Sequence, residues 1–196
     1  MSHPGPQMII IAGPNGAGKS TAAPYLLADE FGLKDYINAD TIAHGLSAFH
    51  PESVAFEAGR IMLRRMRELS AQQRAFAFES TLASRSYAPR IRKLQRQGYD
   101  FHLLFLWLRS ADLAVERVRQ RVRMRGHDVP EETVRRRYVK GVRNFFTLYK
   151  ALAKSWAVYD NTEFDTLLVA TGGSDSELSV ARPELWRQFG EASERR

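Results

Sequence analysis

The sequence contains no cysteine, which excludes a disulfide framework and any metal site built on thiolates. No apolar stretch approaches the roughly 20 residues that cross a bilayer, so no membrane association is expected. The opening Met1-Ser2-His3-Pro4-Gly5-Pro6-Gln7 lacks the basic and then apolar segments of an export signal. The expected location is therefore the cytoplasm. Lysine is scarce, found only at 19, 34, 93, 140, 150 and 154, so 23 of the 29 basic residues are arginine. The formal charge is +7. Arginine offers a planar fork of donors suited to phosphate and carboxylate, and such a balance fits nucleic acid, an anionic surface or phosphorylated small molecules.

What is present is enough for one globular domain. The 196 residues are 44% hydrophobic, with eleven phenylalanines, sufficient to bury a core. Residues 1–7 read as a flexible start, 8–175 as the folded domain and 176–196 as a C-terminal helix or tail. The strongest local signal is Gly13-Pro14-Asn15-Gly16-Ala17-Gly18-Lys19-Ser20-Thr21, a G-x-x-x-x-G-K-S phosphate-binding pattern. At average residue usage the bare pattern arises by chance in roughly one chain of this length in a hundred. Its context narrows that further. The β-branched run Met8–Ala12 precedes it and a segment able to be helical follows. A buried strand, a glycine-rich turn and a helix N-terminus aim backbone N–H groups at an anion. Lys19 then meets the β- and γ-phosphates of ATP, and the Ser20 hydroxyl meets Mg²⁺.

Strand and helix signals alternate along the rest of the chain. Asp35–Asp40, Arg74–Glu79, the apolar run Phe101–Leu108 and Asp165–Ala170 read as strands, which with Met8–Ala12 makes five. Helices are expected over Ser20–Phe31, Pro51–Leu69, Tyr87–Gln97 and Ser110–Arg123. Another starts at an apparent capping box, Asp128–Glu131, and runs toward Ala157. The expected fold is α/β, a five-stranded, mostly parallel sheet with helices on both faces. Ligands in such sheets sit at the carboxyl ends of the strands, which gathers the glycine loop, Asp40 and Glu79–Thr81 on one rim.

A phosphoryl transferase needs a phosphate cradle, a residue for the acceptor hydroxyl and cations for the transferring oxygens. Asp40 is the candidate for the acceptor proton; as an alternative, it caps the next helix. Glu79 can organise hydrated Mg²⁺ or hold a substrate hydroxyl, with Thr81 beside it, or it is a solvated strand end. The arginine-rich stretch 117–140 forms a candidate flap. Helical spacing puts Arg121 and Arg125 beside the apolar stripe of one helix and Arg137 beside that of the next, and points Arg119 and Arg123 to solvent. Arg121 with Arg136 or Arg137 is expected at the phosphates. Asp160-Asn161 reads equally as a turn or a nucleotide contact.

Taken in order, the loop at 13–21, Asn38-Ala39-Asp40, Glu79-Ser80-Thr81-Leu82 and the arginine flap with Gly126-His127-Asp128-Val129-Pro130 resemble the zeta toxin family, over about residues 8–161. The resemblance implies a P-loop kinase fold and phosphorylation of a hydroxyl on a UDP-activated amino sugar, UDP-N-acetylglucosamine. It implies Asp40 as catalytic base, Lys19 and Ser20 as contacts to ATP and Mg²⁺, Glu79 and Thr81 as sugar-nucleotide contacts, and Arg121 and Arg136 as phosphate-binding arginines. The likeness is nearest to the family's small, antitoxin-independent-looking bacterial branch, and it leaves a toxin role and an antitoxin protein as partner open. One departure concerns the acceptor. Larger members follow Glu-x-Thr-Leu with a substrate-holding arginine, where this chain has Ala83 and the nearby Arg85.

Other classes compete. A kinase for a different small hydroxyl keeps the same machinery. The charge and the basic helices at 60–96 and 117–143 fit a nucleic-acid-associated P-loop protein, either a polynucleotide kinase or an ATP-gated binder. A transport or mechanical ATPase fits less well, because the strand Phe101–Leu108 ends in Arg109 rather than an acidic residue.

Overall fold

The structure is a computed structural model that describes residues 5–124, 126–163 and 165–194; Arg125 lies outside the described residues. The buried run at Met8–Ala12 becomes β1 (Gln7–Ala12), the third strand of the sheet. It pairs in parallel with β3 (Phe76–Ser80) on one side and β4 (Asp100–Trp107) on the other. Successive side chains of a strand point to opposite faces, and all five residues Met8–Ala12 are 1% exposed or less. Both faces of the sheet are therefore covered, which is why Met8–Ala12 of β1 and Leu103–Trp107 of β4 are continuously apolar.

Among the described residues the strand order is β2-β3-β1-β4-β5-β6-β7, with β2 (Tyr36–Ile37), β5 (Ser155–Asp160), β6 (Leu167–Gly172) and β7 (Ser179–Val180). Seven strands replace the expected five. The first five in this order are parallel, and β6 and β7 add antiparallel edges. The principal correction lies in the stretch expected to stay helical to Ala157. The helix α6 (Glu131–Asn144) passes into a π-helical turn, Phe145–Tyr149, and a 3₁₀ turn, Lys150–Leu152; Ala153 is then extended. The segment Ser155–Asp160 pairs with β4 instead, because the free edge of a buried apolar strand must have its backbone groups satisfied. The strand expected at Asp165–Ala170 is present as β6 but runs antiparallel.

The remaining helices are α1 (Lys19–Phe31), α2 (Ala39–Leu46), α3 (Ala55–Ala71), α4 (Tyr87–Arg96), α5 (Ala111–Arg123) and α7 (Pro183–Glu194). The expected capping box at Asp128 does not form. Pro130 occupies the cap position with no side-chain bond, while Glu131 turns to Arg119 and Arg135. The C-terminal segment is part of the core. Phe189 of α7 is fully buried, with its ring 5.0–5.3 Å from those of Phe105, Trp107, Phe145 and Phe146. No helix of the described residues is long and apolar enough to cross a membrane.

Candidate active site

The glycine loop leaves the end of β1 and turns into α1, at the carboxyl edge of the parallel strands. Its conformation needs glycine at particular points. Gly13, Gly16 and Gly18 have φ of 141°, 78° and 74°, values that a side chain makes costly. A Cβ at Gly13 would stand 2.1 Å from the Leu106 carbonyl oxygen, and one at Gly18 would stand 2.8 Å from Asn161 Nδ2. Gly13, Pro14 and Ala17 are buried beneath the loop, whereas Asn15, Gly16, Gly18, Lys19, Ser20 and Thr21 line a cavity of about 560 Å³.

Lys19 Nζ donates to the Gly13 and Pro14 carbonyl oxygens at 3.0 and 2.9 Å. Burial lowers its pKa; Glu79 and Asp40 oppose that shift, and Arg121 and Arg137 reinforce it. This lysine therefore sits in a field made by Asp40, Glu79, Arg121 and Arg137 together.

Asp40 lines the same cavity from the first turn of α2, where the helix dipole favours a carboxylate. It is not the cap. That role belongs to Asn38, whose Oδ1 accepts from the Asp40 and Thr41 backbone N–H groups at 2.8 and 3.2 Å. Asn38 Nδ2 in turn donates to Ser20 Oγ at 3.2 Å and to Glu79 Oε1 at 2.8 Å. Tyr36 O–H also donates to Glu79 Oε1. Burial, together with Glu79, holds the Tyr36 phenol well above its ordinary pKa, so this proton stays on the phenol. In the sequence Asn38 stands out only as a neighbour of Asp40, and Tyr36 carries no signal of its own. The signal that could have found Asn38 is its type, since Asn is among the preferred residues just before a helix.

Beyond Glu79, the residues Ser80, Thr81, Ala83, Ser84 and Tyr87 carry the lining onward. This segment is held from the flap side. Asn144 Nδ2 donates to the Leu82 and Ala83 carbonyl oxygens at 2.7 and 3.2 Å, and Tyr149 O–H donates to the Ser84 carbonyl oxygen at 2.5 Å. Burial pushes the Tyr149 phenol up to about 12. Leu82 has φ 53°, and the bonds on either side of it keep that conformation in place. Arg85, expected at the substrate, is exposed and does not line the cavity; the turn into α4 carries it outward.

Three arginines close the other side: Arg117 and Arg121 from α5 and Arg137 from α6. Arg117 was not singled out by the sequence. Its guanidinium donates to the Asn161 and Thr162 carbonyl oxygens at 2.8 and 2.7 Å. That loop is shaped by the buried Asp160, which pairs with Arg109 at 2.7 Å and accepts from the Thr162 N–H at 3.1 Å. Arg121 donates to the His127 carbonyl oxygen at 2.7 Å, and its buried Nε has no hydrogen-bond partner among the described residues. Of the two α6 candidates, Arg137 and not Arg136 lines the cavity. Arg136 is exposed, because Val134 and Tyr138 face the core and residue 136 turns away from them; Arg137 is half-buried at the cavity. Burial lowers the Arg137 pKa and Asp40 opposes the shift. Arg135 pairs with Asp112 and Glu131.

These donors fit a polyphosphate. The cradle is backbone with no room for added side chains, Arg121 keeps a buried N–H unpaired among the described residues, and Lys19, Arg117, Arg121 and Arg137 surround one space. The oxygen set at Ser20, with Glu79 one amide away, suits a hard cation such as Mg²⁺ that retains waters.

A family model described as Zeta toxin matches residues 1–174. An uncharacterised protein of Haemophilus influenzae (strain Rd) is 28% identical over 130 residues, covering 66% of this chain and 91% of that protein. Among solved structures, the AvrRxo1-ORF1:AvrRxo1-ORF2 complex with sulphate ions is similar at a TM-score of 0.76 and 16% identity, over 94% of this chain; the chain spans 63% of that protein's length. A structure from the PezAT chromosomal toxin–antitoxin system of Streptococcus pneumoniae is similar at 0.65 and 17% identity, over 100% of this chain and 90% of that one. At such identities the structural likeness shows the fold alone.

Proposed function

The chain belongs to the zeta toxin family and is an ATP-dependent phosphotransferase of P-loop kinase fold; from that premise we propose that it phosphorylates a hydroxyl of a nucleotide-activated amino sugar of the UDP-N-acetylglucosamine kind. The observation that carries the reading is the single cavity in which the phosphate loop, Asp40, Glu79–Thr81 and three arginines meet.

In this reading Lys19 and the loop backbone bind the triphosphate, and Ser20 Oγ is the protein oxygen that holds Mg²⁺, which when bound neutralises charge on the phosphates. Asp40 orients the acceptor hydroxyl and takes its proton as the oxygen attacks phosphorus and ADP departs. Arg121 and Arg137 stabilise the charge on the transferring oxygens. Glu79 and Thr81 hold the acceptor, and Tyr87 offers it an aromatic face. Ala83 stands where larger members carry an arginine, which leaves the acceptor's far side to Ser84 and Tyr87. The toxin–antitoxin context of PezAT supports an antitoxin protein as a partner here as well.

The test is purified protein with ATP, Mg²⁺ and a panel of UDP-sugars, followed by phosphorus NMR and mass spectrometry. A phosphorylated amino sugar, absent with Lys19→Ala, is expected. Asp40→Asn should lower kcat by roughly 10²- to 10⁴-fold while ATP still binds. Transfer to some other hydroxyl and to no UDP-sugar would remove the acceptor assignment and leave the kinase.

A further inference from the structure

Asn38 is 7% exposed, and its side-chain amide uses its whole hydrogen-bonding capacity. An amide oxygen can accept two hydrogen bonds and its NH₂ can donate two. Oδ1 accepts from the N–H groups of Asp40 and Thr41, and Nδ2 donates to Glu79 Oε1 and Ser20 Oγ. The amide cannot be turned over, since that would aim its hydrogens at two backbone N–H groups. One planar group therefore joins the start of α1, the end of β3 and the first turn of α2.

We propose that Asn38 is the positioning residue that holds the nucleotide-side hydroxyl of Ser20, the acceptor-side carboxylate of Glu79 and the helix carrying Asp40 in one register, so that nucleotide and acceptor bind cooperatively. The roles of those three residues rest on the phosphotransferase reading above. The coupling follows from the shared amide. Whatever fixes Ser20 Oγ fixes the Asn38 plane, and the same plane sets the direction of the bond to Glu79. By linkage, each ligand then tightens the other by the same factor.

Two variants separate this from simple helix capping. Asn38→Ser keeps a good cap for α2 but is too short to reach Ser20 and Glu79. Asn38→Asp keeps both cap bonds and replaces the donor with a second carboxylate oxygen facing Glu79. The melting temperature, the affinity for a non-hydrolysable ATP analogue with and without Mg²⁺, and the affinity for UDP-N-acetylglucosamine with and without that analogue are measured for each.

The wild type is expected to show mutual tightening of the two ligands. Both variants should lose it, with kcat/KM lower by roughly 10- to 100-fold and Mg²⁺-dependent tightening of the analogue reduced about tenfold. Should Asn38→Ser fail to fold, Asn38→Asp carries the test. Wild-type coupling and wild-type Mg²⁺ dependence in a folded variant would overturn the inference and leave Asn38 a cap. The Mg²⁺ arm needs no acceptor. If the wild type ignores the UDP-sugar while both variants lose Mg²⁺ dependence, the acceptor assignment falls and the positioning role on the nucleotide side stands.

Discussion

Asn161 Nδ2 donates to the Ala17 carbonyl oxygen at 2.9 Å, pinning the loop after β5 to the phosphate loop across most of the chain. The same nitrogen lies 2.8 Å from where a Cβ on Gly18 would stand. The bond and the close approach make different predictions. Asn161→Ala removes about 1 kcal/mol of hydrogen bonding, so ATP affinity should fall about fivefold. Gly18→Ala must displace Asn161 at a φ of 74° and should abolish measurable ATP binding while the protein stays folded. Calorimetric titration with an ATP analogue, beside thermal melts, checks both.

The two neighbouring arginines on α6 should behave differently. Arg137→Ala removes a cation at the cavity and should lower kcat by at least ~100-fold, since arginines that meet transferring phosphate contribute that much or more. Arg136→Ala, at an exposed position, should change kcat by less than about twofold. Equal losses in steady-state assays would mean that the α6 register relative to the phosphate is wrong.

His102 provides a pH signature in stability. Burial lowers its pKa, with Asp100 opposing and Lys154 reinforcing the shift, and its Nδ1 lies 2.7 Å from Ser155 Oγ. The folded state thus prefers the neutral ring. The contribution is full above the unfolded value of about 6.5 and is lost as pH falls through the lowered folded value. Melting temperatures taken from pH 8 to pH 5 should decline more steeply for the wild type than for His102→Gln. Parallel curves would assign the acid sensitivity elsewhere.

Lys150 sits over three rings, 5.8 Å from the centroid of Phe146, 5.1 Å from Trp156 and 5.4 Å from Trp186. The two indoles are stacked at 5.6 Å. The ammonium thereby joins the irregular turn after α6 to β5 and α7. Lys150→Met keeps the stem and removes the charge, so the loss should be about 1 kcal/mol, or roughly 2–4 °C in melting temperature. Unchanged melting would mean that the aromatic packing alone holds α7.

The site was legible where its geometry is local. Gly13–Thr21 could be read because each glycine answers a backbone requirement within a few residues, and Asp40 and Glu79 because strand ends define the rim. Helical spacing already puts Arg137 beside the apolar seam, whereas the resemblance points to Arg136; the packing of Val134 and Tyr138 sets the rotation that brings Arg137 to the cavity. The helix is expected to run toward Ala157 because Phe145, Leu148, Leu152 and Trp156 fall at helical spacing. The π turn at Phe145–Tyr149 breaks the period, and the edge of β4 then captures Ser155–Asp160 as a strand.

By itself the sequence determined the phosphate cradle, the α/β class of the fold and which acidic residues reach the rim, because these follow from backbone conformation and from hydrophobic period. Only the tertiary structure decided that Tyr36 and Asn38 share one oxygen of Glu79, that Arg117 holds the loop at 161–162, and that Arg137 rather than Arg136 lines the cavity. Those contacts join residues tens of positions apart or depend on how a helix rotates against its neighbours. They follow from satisfying buried polar groups in one packed arrangement, which no short stretch of the chain encodes.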